Sequence, residues 1–218
     1  MKPLIVIPAY NTNNSINKLI KQILVQTNVQ ILVIDDGSTN RIDIENKNAA
    51  ILIRNKVNKG KGSVLKKAIK YALNNNYTHL LSLDSDLQHN PKHINSFLKF
   101  NEDVDIVFGA RTFASPMPFH RVLSNKITSY IISFLVKNKI KDSQSGYRRY
   151  KLSIFNDKNL NENGFHFESE LILKCITKNT KIEHVPIDTI YNDSISSIDN
   201  FSDTIKFIKL IFRHCFAR

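Results

Sequence analysis

Two acidic residues, Asp84 and Asp86, stand one residue apart directly after the apolar run of LLSLDSDLQHNP, residues 80–91. Side chains alternate between the two faces of an extended strand, so a loop must begin here if both carboxylates serve one ligand. Hard oxygen ligands suit Mg²⁺ or Mn²⁺, which proteins bind through a few carboxylates together with substrate phosphates, and Gln88 could add a further oxygen. The spacing indicates either a divalent-metal site or simple capping of the following segment.

A second acidic pair, Asp35 and Asp36, also follows an apolar run and is continued by Gly37 and Ser38. A carboxylate at this place can accept hydrogen bonds from a nucleobase N–H or a ribose hydroxyl. An ordinary Asp-Gly turn would show the same residues, so the pair by itself leaves both interpretations open.

The segment NKGKGS, residues 58–63, is rich in glycine and lysine and precedes a predicted helix. Its lysines, its glycines and a helix N-terminus can together hold an anion. The spacing is neither that of a P-loop nor that of a dinucleotide-binding turn, so it does not name the ligand.

Strands and helices alternate through the first half of the chain, judged by the spacing of apolar residues. We predict strands at 3–8, 30–35, 49–54 and 79–84, and helices at 15–26 and 63–73. This alternation predicts an α/β fold with a mostly parallel sheet flanked by helices. Ligands of such sheets bind at the carboxyl ends of the strands, which is where both acidic pairs lie.

The second half of the chain is less regular. We predict a strand at 105–111, a helix at 122–137, a polar and turn-like segment at 142–150, a helix beginning within 165–178 and a strand at 182–191. One domain over residues 1–200 would then have a nucleotide-type part, about 1–110, and an acceptor-type part, 111–200.

A basic amphipathic helix is predicted over residues 201–218. Its apolar residues form one stripe, made of Phe201, Ile205, Ile208, Phe212 and Cys215. The stripe could pack on the domain, or it could lie on an anionic membrane surface.

The chain is strongly basic, with 31 Lys+Arg against 19 Asp+Glu and a net charge of +12. Nucleic acid, phosphate-rich small molecules and an acidic membrane surface all fit such a charge. Nucleic acid is not the expected partner, because acidic strand ends repel phosphate without a metal and no helix-turn-helix, RRM or zinc-finger signature is present. No apolar run reaches the roughly 18 residues that cross a bilayer, and MKPLIVIP fits a first strand better than a signal peptide, which predicts a cytoplasmic protein.

These segments, in this order, resemble the inverting family 2 glycosyltransferases with a GT-A fold, a Rossmann-like arrangement. More narrowly, the chain resembles the dolichol- and polyprenyl-phosphate sugar synthases. The segments that carry the resemblance are VIPAYN, VIDDGSTN, NKGKGSVLKKAI, LSLDSDLQHNP, DIVFGAR, DSQSGYRRY, FHFESELI and VPIDTIY. They run from residue 3 to about residue 191, and their order is far more specific than any one of them.

The resemblance implies a role for each matching residue. The nucleotide-sugar would be bound by Pro8, Ala9, Tyr10, Asp35, Asp36, Lys59, Gly62, Asp84 and Ser85. The divalent metal, Mg²⁺ or Mn²⁺, would be held by Asp84, Asp86 and Gln88. The catalytic residues would be Asp86, Arg148, Glu168 and Glu170. The acceptor phosphate would be received by Arg111, Arg121, Lys126 and Arg148.

The implied reaction moves one sugar from a nucleotide-sugar to a polyprenyl phosphate or a similar membrane-associated acceptor, with inversion at the anomeric carbon. A phosphate acceptor is already anionic and needs no strong general base. The alternative acceptor is a saccharide hydroxyl, as in the assembly of cell-surface polysaccharide or glycoprotein, and Glu168 or Glu170 would then be the base. Tryptophan is absent, and with it the QxxRW motif of processive synthases, so a polymerising enzyme is not expected.

Overall fold

The computed structural model of the protein describes residues 1–112, 119–164, 166–188, 190 and 200–216. The strands are β1 (Pro3–Ala9), β2 (Ile31–Asp35), β3 (Ala50–Arg54), β4 (His79–Ser82), β5 (Ile106–Arg111), β6 (Arg148–Lys151) and β7 (Ile182–Ile187). The helices are α1 (Asn13–Gln26), α2 (Lys61–Asn74), α3 (Ile94–Leu98), α4 (Phe119–Val136), α5 (Phe167–Cys175) and α6 (Asn200–Phe216).

Within the described residues, the strands form one seven-stranded sheet in the order β3-β2-β1-β4-β6-β5-β7. Strands β3, β2, β1 and β4 are parallel neighbours, as are β5 and β7. Strand β6 is antiparallel to both of its neighbours. The sheet is therefore mostly parallel, as predicted, and the carboxyl ends of β1, β2, β4 and β5 meet at one edge.

Alternating side chains of the strands build a core layer on each face of the sheet. Leu4 and Val6 of β1 belong to the layer that also holds apolar residues of α2, α4, α5 and α6. Ile5 and Ile7 belong to the opposite layer, which α1 and α3 cover. Since both faces are covered, β1 and β2 are nearly continuous apolar runs rather than alternating ones.

The prediction of a polar turn over residues 142–150 is wrong in its second part, where β6 lies in the middle of the sheet. Arg148 and Arg149 are fully buried in this strand. The Arg149 guanidinium donates to the carbonyls of Phe100, Asn101 and Val104 at 2.8–3.2 Å. These acceptors are more than forty residues away in sequence, so no local pattern of RRYK indicates that Arg149 is buried.

Helix α6 covers the range predicted for a C-terminal amphipathic helix, but it packs by a different side from the one that the sequence marks. Phe207, Leu210 and Ile211 contact the core layer shared with α5. Ile208 and Phe212 of the predicted stripe are 48% and 58% exposed. Across the described ranges, no helix has both the length and the apolarity that crossing a membrane requires.

Candidate active site

The site forms where β1 and β2 end side by side. Ala9 pairs with Asp35 in the sheet, and the Asp36 N–H donates to the Ala9 carbonyl at 2.8 Å. Ala9 is buried, whereas the neighbouring Tyr10 is 46% exposed. Asn11 turns the chain away from the sheet with a positive φ of 54° and receives support from Ser38, whose hydroxyl accepts from the Asn11 N–H at 2.9 Å.

Both acidic residues at the end of β2 hold neighbouring segments. The Asp35 carboxylate accepts from Arg54 at 2.7 Å and from the Ser38 N–H at 2.8 Å. The Asp36 carboxylate accepts from the N–H groups of Lys59 and Gly60, the latter at 2.7 Å. Asp36 therefore fixes the glycine- and lysine-rich loop, which leads directly into α2, against the strand edge.

The residues after β4 form a tight turn. Leu87 has a positive φ of 64°, and the Gln88 N–H donates to the Asp86 carboxylate at 2.9 Å. The Asp84 N–H donates to Nδ1 of the buried His89 at 3.0 Å. Burial and then the charge of Asp84 raise the pKa of Asp86. The turn therefore brings two carboxylates close enough that ionising one disfavours ionising the other.

Lys61, the first residue of α2, supplies a cation to this acidic turn. Its ammonium lies 2.6 Å from Asp84 Oδ1 and 3.3 Å from Glu168 Oε1. Burial acts to raise the pKa of Asp84, but the Lys61 charge outweighs it and lowers that pKa to about 2. Burial likewise acts to lower the pKa of Lys61, but the charges of Asp84 and Glu168 outweigh it and raise the pKa.

Gly146 closes the site from the side of the loop before β6. A Cβ at this position would lie 2.7 Å from Lys61 Nζ and 2.8 Å from Asp84 Oδ2, so any larger residue would fill space that these two groups use. The Gly146 carbonyl accepts from the Ser82 hydroxyl at 2.7 Å, which ties the loop to β4. Three segments that are distant in sequence therefore meet at Asp84.

Arg148 and Glu170 hold backbone segments around the site. The fully buried Arg148 guanidinium donates to the carbonyls of Ser143 and Ser145, each at 2.7 Å. The Glu170 carboxylate accepts from the backbone N–H groups of residues 161 and 162 at 3.0 and 2.8 Å, and from Lys174 at 2.8 Å. Of the two predicted acidic residues of α5, Glu168 faces Lys61 and Glu170 binds the 161–162 loop.

Arg111, at the end of β5, is held by a buried carboxylate. Its guanidinium makes two bonds to Asp142, at 2.7 and 3.0 Å. The Asn125 amide of α4 donates to the same carboxylate at 2.9 Å. Burial would raise the pKa of Asp142, but the hydrogen bonds and charge of Arg111 outweigh it and lower the pKa. Lys126, the next residue of α4, is exposed, while the side chain of Arg121 lies outside the described part of the chain.

The family model for glycosyl transferase family 2 matches residues 4–164 of the chain. The chain belongs to glycosyl transferase family 2. An uncharacterized protein of Methanocaldococcus jannaschii is 33% identical to this glycosyltransferase, over 97% of the chain and 98% of the relative. A UDP-N-acetylglucosamine–dolichyl-phosphate N-acetylglucosaminyltransferase of Methanococcus voltae is 26% identical, over 87% of the chain and 86% of the relative.

The fold of the glycosyltransferase is also found in a solved structure, the glucosyl-3-phosphoglycerate synthase of Mycobacterium tuberculosis in complex with Mn²⁺, UDP and glucosyl-3-phosphoglycerate. The TM-score is 0.76 at 16% sequence identity, with 98% of this chain and 79% of that chain covered. The predicted GT-A fold is confirmed. That synthase has also been crystallised with Mg²⁺ and UDP.

The acidic turn of this glycosyltransferase fits a divalent cation of the kind that the fold implies. Asp84 and Asp86 offer carboxylates and Gln88 an amide, which are hard oxygen donors. The cationic Lys61 against Asp84, and the space kept open at Gly146, show that positive charge is accommodated here. Among the residues that the structure describes, no three Asp, Glu, His or Cys side chains form a complete ligand set.

Lys59 and Gly62, which the sequence-based assignment placed at the nucleotide-sugar, have different surroundings in the glycosyltransferase. Lys59 is exposed and contributes its backbone N–H to Asp36, whereas Lys61 reaches the acidic turn. Gly62 is a position of close packing, because a Cβ there would lie 2.5 Å from Cβ of Phe167. The buried Asp142, which pairs with Arg111, was not among the sequence-based candidates. The signal for Lys61 is its place between two glycines at the first position of a helix, at the edge where ligands bind.

Proposed function

We propose that this glycosyltransferase moves one sugar from a nucleotide-sugar to a polyprenyl phosphate, with inversion and with Mg²⁺ or Mn²⁺ as cofactor. The observation that carries the proposal is the turn that presents Asp84 and Asp86 at the sheet edge beside the Lys61 ammonium. Transfer from a nucleotide-sugar releases an anionic diphosphate. A site that gathers carboxylates for a metal and a partly buried lysine can stabilise that charge as it develops.

We assign a role to each group of site residues from its position. Asp84, Asp86 and Gln88 would hold the metal, which when bound neutralises the donor diphosphate as a Lewis acid. Once a metal ion is bound to the Asp84 carboxylate, the Lys61 ammonium would pair with a diphosphate oxygen instead of with Asp84. Pro8, Ala9 and Tyr10 at the end of β1 are proposed to contact the nucleoside, beside Asp35 and Asp36.

The acceptor is proposed to be received on the side of Arg111. A guanidinium held in two bonds by Asp142 keeps a fixed orientation, and arginine matches the geometry of phosphate oxygens. A phosphate acceptor is nucleophilic without a base, which agrees with a site whose two candidate bases, Glu168 and Glu170, each pair with a lysine. The relative from Methanococcus voltae, which by its name acts on dolichyl phosphate, supports this acceptor class.

A saccharide hydroxyl is the second candidate acceptor, and Glu168 is the observation in its favour. Its Oε1 lies 3.3 Å from Lys61 Nζ, at the same site as Asp84. A general base at this place would contribute about 10²–10⁴-fold to transfer onto a hydroxyl and little to transfer onto a phosphate. Glu168→Gln therefore separates the two acceptor classes.

The test is transfer by the purified chain from UDP-, GDP-, CDP- and dTDP-sugars, with Mn²⁺, onto polyprenyl phosphate or onto a saccharide. We expect a polyprenyl-phosphate product that Asp86→Asn reduces by roughly 100-fold or more, since charge stabilisation of this kind is worth about 10²–10³ in rate. Asp43→Asn, which changes an exposed carboxylate elsewhere, is the matched control and should behave as the wild type. Transfer that survives both Asp86→Asn and EDTA would overturn the metal assignment.

A further inference from the structure

Over its first turns, helix α4 is polar on its buried face and apolar on its exposed face, the reverse of an ordinary surface helix. The buried face carries Asn125 and Ser129, which are 0% and 4% exposed. The opposite face carries apolar residues that are largely exposed, at 47% for Leu123, 51% for Ile127, 74% for Tyr130 and 75% for Phe134. At about 100° per residue, these four side chains fall within an arc of about 60°, so they form one stripe.

The inversion has a structural cause on the inner side. The Asn125 amide donates to Asp142 at 2.9 Å, and the Ser129 hydroxyl accepts from the Ser143 N–H at 2.9 Å. Polar residues are needed there because Asp142 in turn orients Arg111. Nothing on the inner side explains why the outer face is apolar, since a solvated helix face ordinarily carries charged or polar residues. A contiguous exposed apolar patch marks an interaction surface.

A second apolar stripe lies on α6. Ile205, Ile208, Phe212 and Phe216 recur at helical spacing and are 39%, 48%, 58% and 78% exposed. Both α4 and α6 pack against α5 and contribute to the core layer on one face of the sheet. The two stripes are therefore displayed on the same side of the molecule, each directed away from that layer.

The charges around the stripes select the partner. Lys126 and Lys137, both exposed, lie beside the α4 stripe, and α4 contains no acidic residue. Exposed Lys206 and Lys209 lie beside the stripe of α6. A second copy of this chain would bring like charge to the same face, whereas an anionic lipid surface offers both an apolar interior and compensating charge.

We infer that the α4 stripe, Leu123, Ile127, Tyr130 and Phe134, docks the enzyme on an anionic bilayer surface, with the α6 stripe as a second contact. The reason for such docking rests on the proposed function, because a polyprenyl phosphate presents its phosphate at the bilayer surface. The inner face of α4 bonds Asp142 and through it Arg111, so the docked face lies about one helix diameter, about 10 Å, from the acceptor arginine. Docking would bring Arg111 to the depth at which lipid phosphates lie.

The experiment uses the full chain and vesicles of phosphatidylcholine with 30% phosphatidylglycerol, measured by co-sedimentation at low and high salt. We expect Tyr130→Ser/Phe134→Ser to weaken binding by roughly tenfold or more, with an unchanged melting temperature, and salt to weaken binding of the wild type. The matched control is Val25→Ser, because Val25 is 81% exposed on α1 against the other face of the sheet. Since the chain has no tryptophan, Phe134→Trp supplies a single reporter whose emission should shift to the blue on vesicles.

Two acceptors distinguish a failure of this inference from a failure of the proposed function. Tyr130→Ser/Phe134→Ser should transfer sugar normally to a water-soluble, short-chain isoprenyl phosphate and poorly to polyprenyl phosphate in vesicles. Wild-type transfer to the soluble acceptor without any vesicle binding would overturn the docking surface and leave the function standing. Vesicle binding without transfer to any acceptor would overturn the proposed function and leave the docking surface standing. If the wild type did not bind vesicles but formed a dimer, and Phe134→Ser were monomeric, the stripe would be the contact with a second copy of the chain instead.

Discussion

Lys61 is the cation that pairs with the acidic residues at the centre of the site. Its ammonium is held between Asp84 and Glu168, and it lowers the pKa of Asp84 to about 2 although burial acts in the other direction. Lys61 therefore neutralises part of the acidic charge that gathers at the end of β4. In the proposed reaction, this charge would be available to the donor diphosphate once a metal ion held the carboxylates.

Replacing Lys61 with methionine should leave Asp84 partly buried and unpaired. We expect the free energy of unfolding at pH 7 to fall by about 1–3 kcal/mol, less than for a fully buried pair because Asp84 remains 30% exposed. The pKa of Asp84 is depressed in the folded state, so the stability that the pair contributes is complete above its ordinary value of 3.8 and is lost as the pH falls toward 2. Urea unfolding at pH 7 and pH 3 measures this.

Lys59→Met is the control for this variant, because Lys59 is exposed and contributes only its backbone N–H to Asp36. Mn²⁺ should raise the melting temperature of Lys61→Met more than that of the wild type, since the metal then neutralises carboxylates that have lost their cation. Equal destabilisation at pH 7 and pH 3, or equal behaviour of the two lysine variants, would show that Lys61 does not govern the acidic turn.

At the scale of elements, the site depends on the approach of three segments: the end of β4, the start of α2 and the loop 142–146 before β6. Gly146 is the point of contact, because its absent Cβ leaves room for Lys61 Nζ and Asp84 Oδ2. Arg148 fixes the same loop by donating to the carbonyls of Ser143 and Ser145. The geometry of the acidic turn is therefore set by a loop more than fifty residues further along the chain.

Gly146→Ala should disturb the site without unfolding the protein. The added Cβ meets the ends of two flexible side chains rather than backbone, so we expect a melting temperature within a few degrees of the wild type. Displacing Lys61 and Asp84 should weaken Mn²⁺-dependent nucleotide binding by about tenfold, as measured by calorimetry with UDP or the preferred nucleotide.

The chain provides its own control in Gly164→Ala, because a Cβ at Gly164 would meet nothing within 4 Å. Both variants change one glycine outside the regular elements, so any general effect of glycine replacement on the unfolded chain is shared. If Gly164→Ala also lost nucleotide binding, or if Gly146→Ala bound the nucleotide normally, the loop 142–146 would not set the geometry of the site.

At the scale of the whole molecule, the binding edge lies where both halves of the sheet contribute, so a ligand that spans the edge should stabilise the fold as a unit. A nucleotide present at about 100 times its dissociation constant adds about 2.7 kcal/mol, which for a chain of this size corresponds to about 5–10 °C in melting temperature. We expect a shift of this size for the preferred nucleotide with Mn²⁺, and a much smaller one after EDTA. A thermal-shift measurement that is insensitive to the metal would count against the proposed cofactor.

Much of the fold and part of the site follow from local features of the sequence. The strands β1, β2 and β4 are short apolar runs between amphipathic helices, and the acidic residues stand where those runs end. These features predict the parallel half of the sheet and the binding edge, whereas the family was expected from the resemblance of the ordered motif segments. Strand β6 could not be predicted, because the carbonyls of residues 100–104 that accept from the buried Arg149 come near it only in the folded chain.

The sequence by itself determined the strands and helices of the first half of the chain, and which carboxylates reach the binding edge, because apolar periodicity and strand ends are properties of consecutive residues. The tertiary structure decided that Lys61 rather than Lys59 meets Asp84, that Glu168 faces the site while Glu170 holds a loop, and which faces of α4 and α6 remain outside. Most of these outcomes depend on a partner that is distant along the chain, such as Asp84 for Lys61. Burial and pairing of that kind arise only when the segments pack.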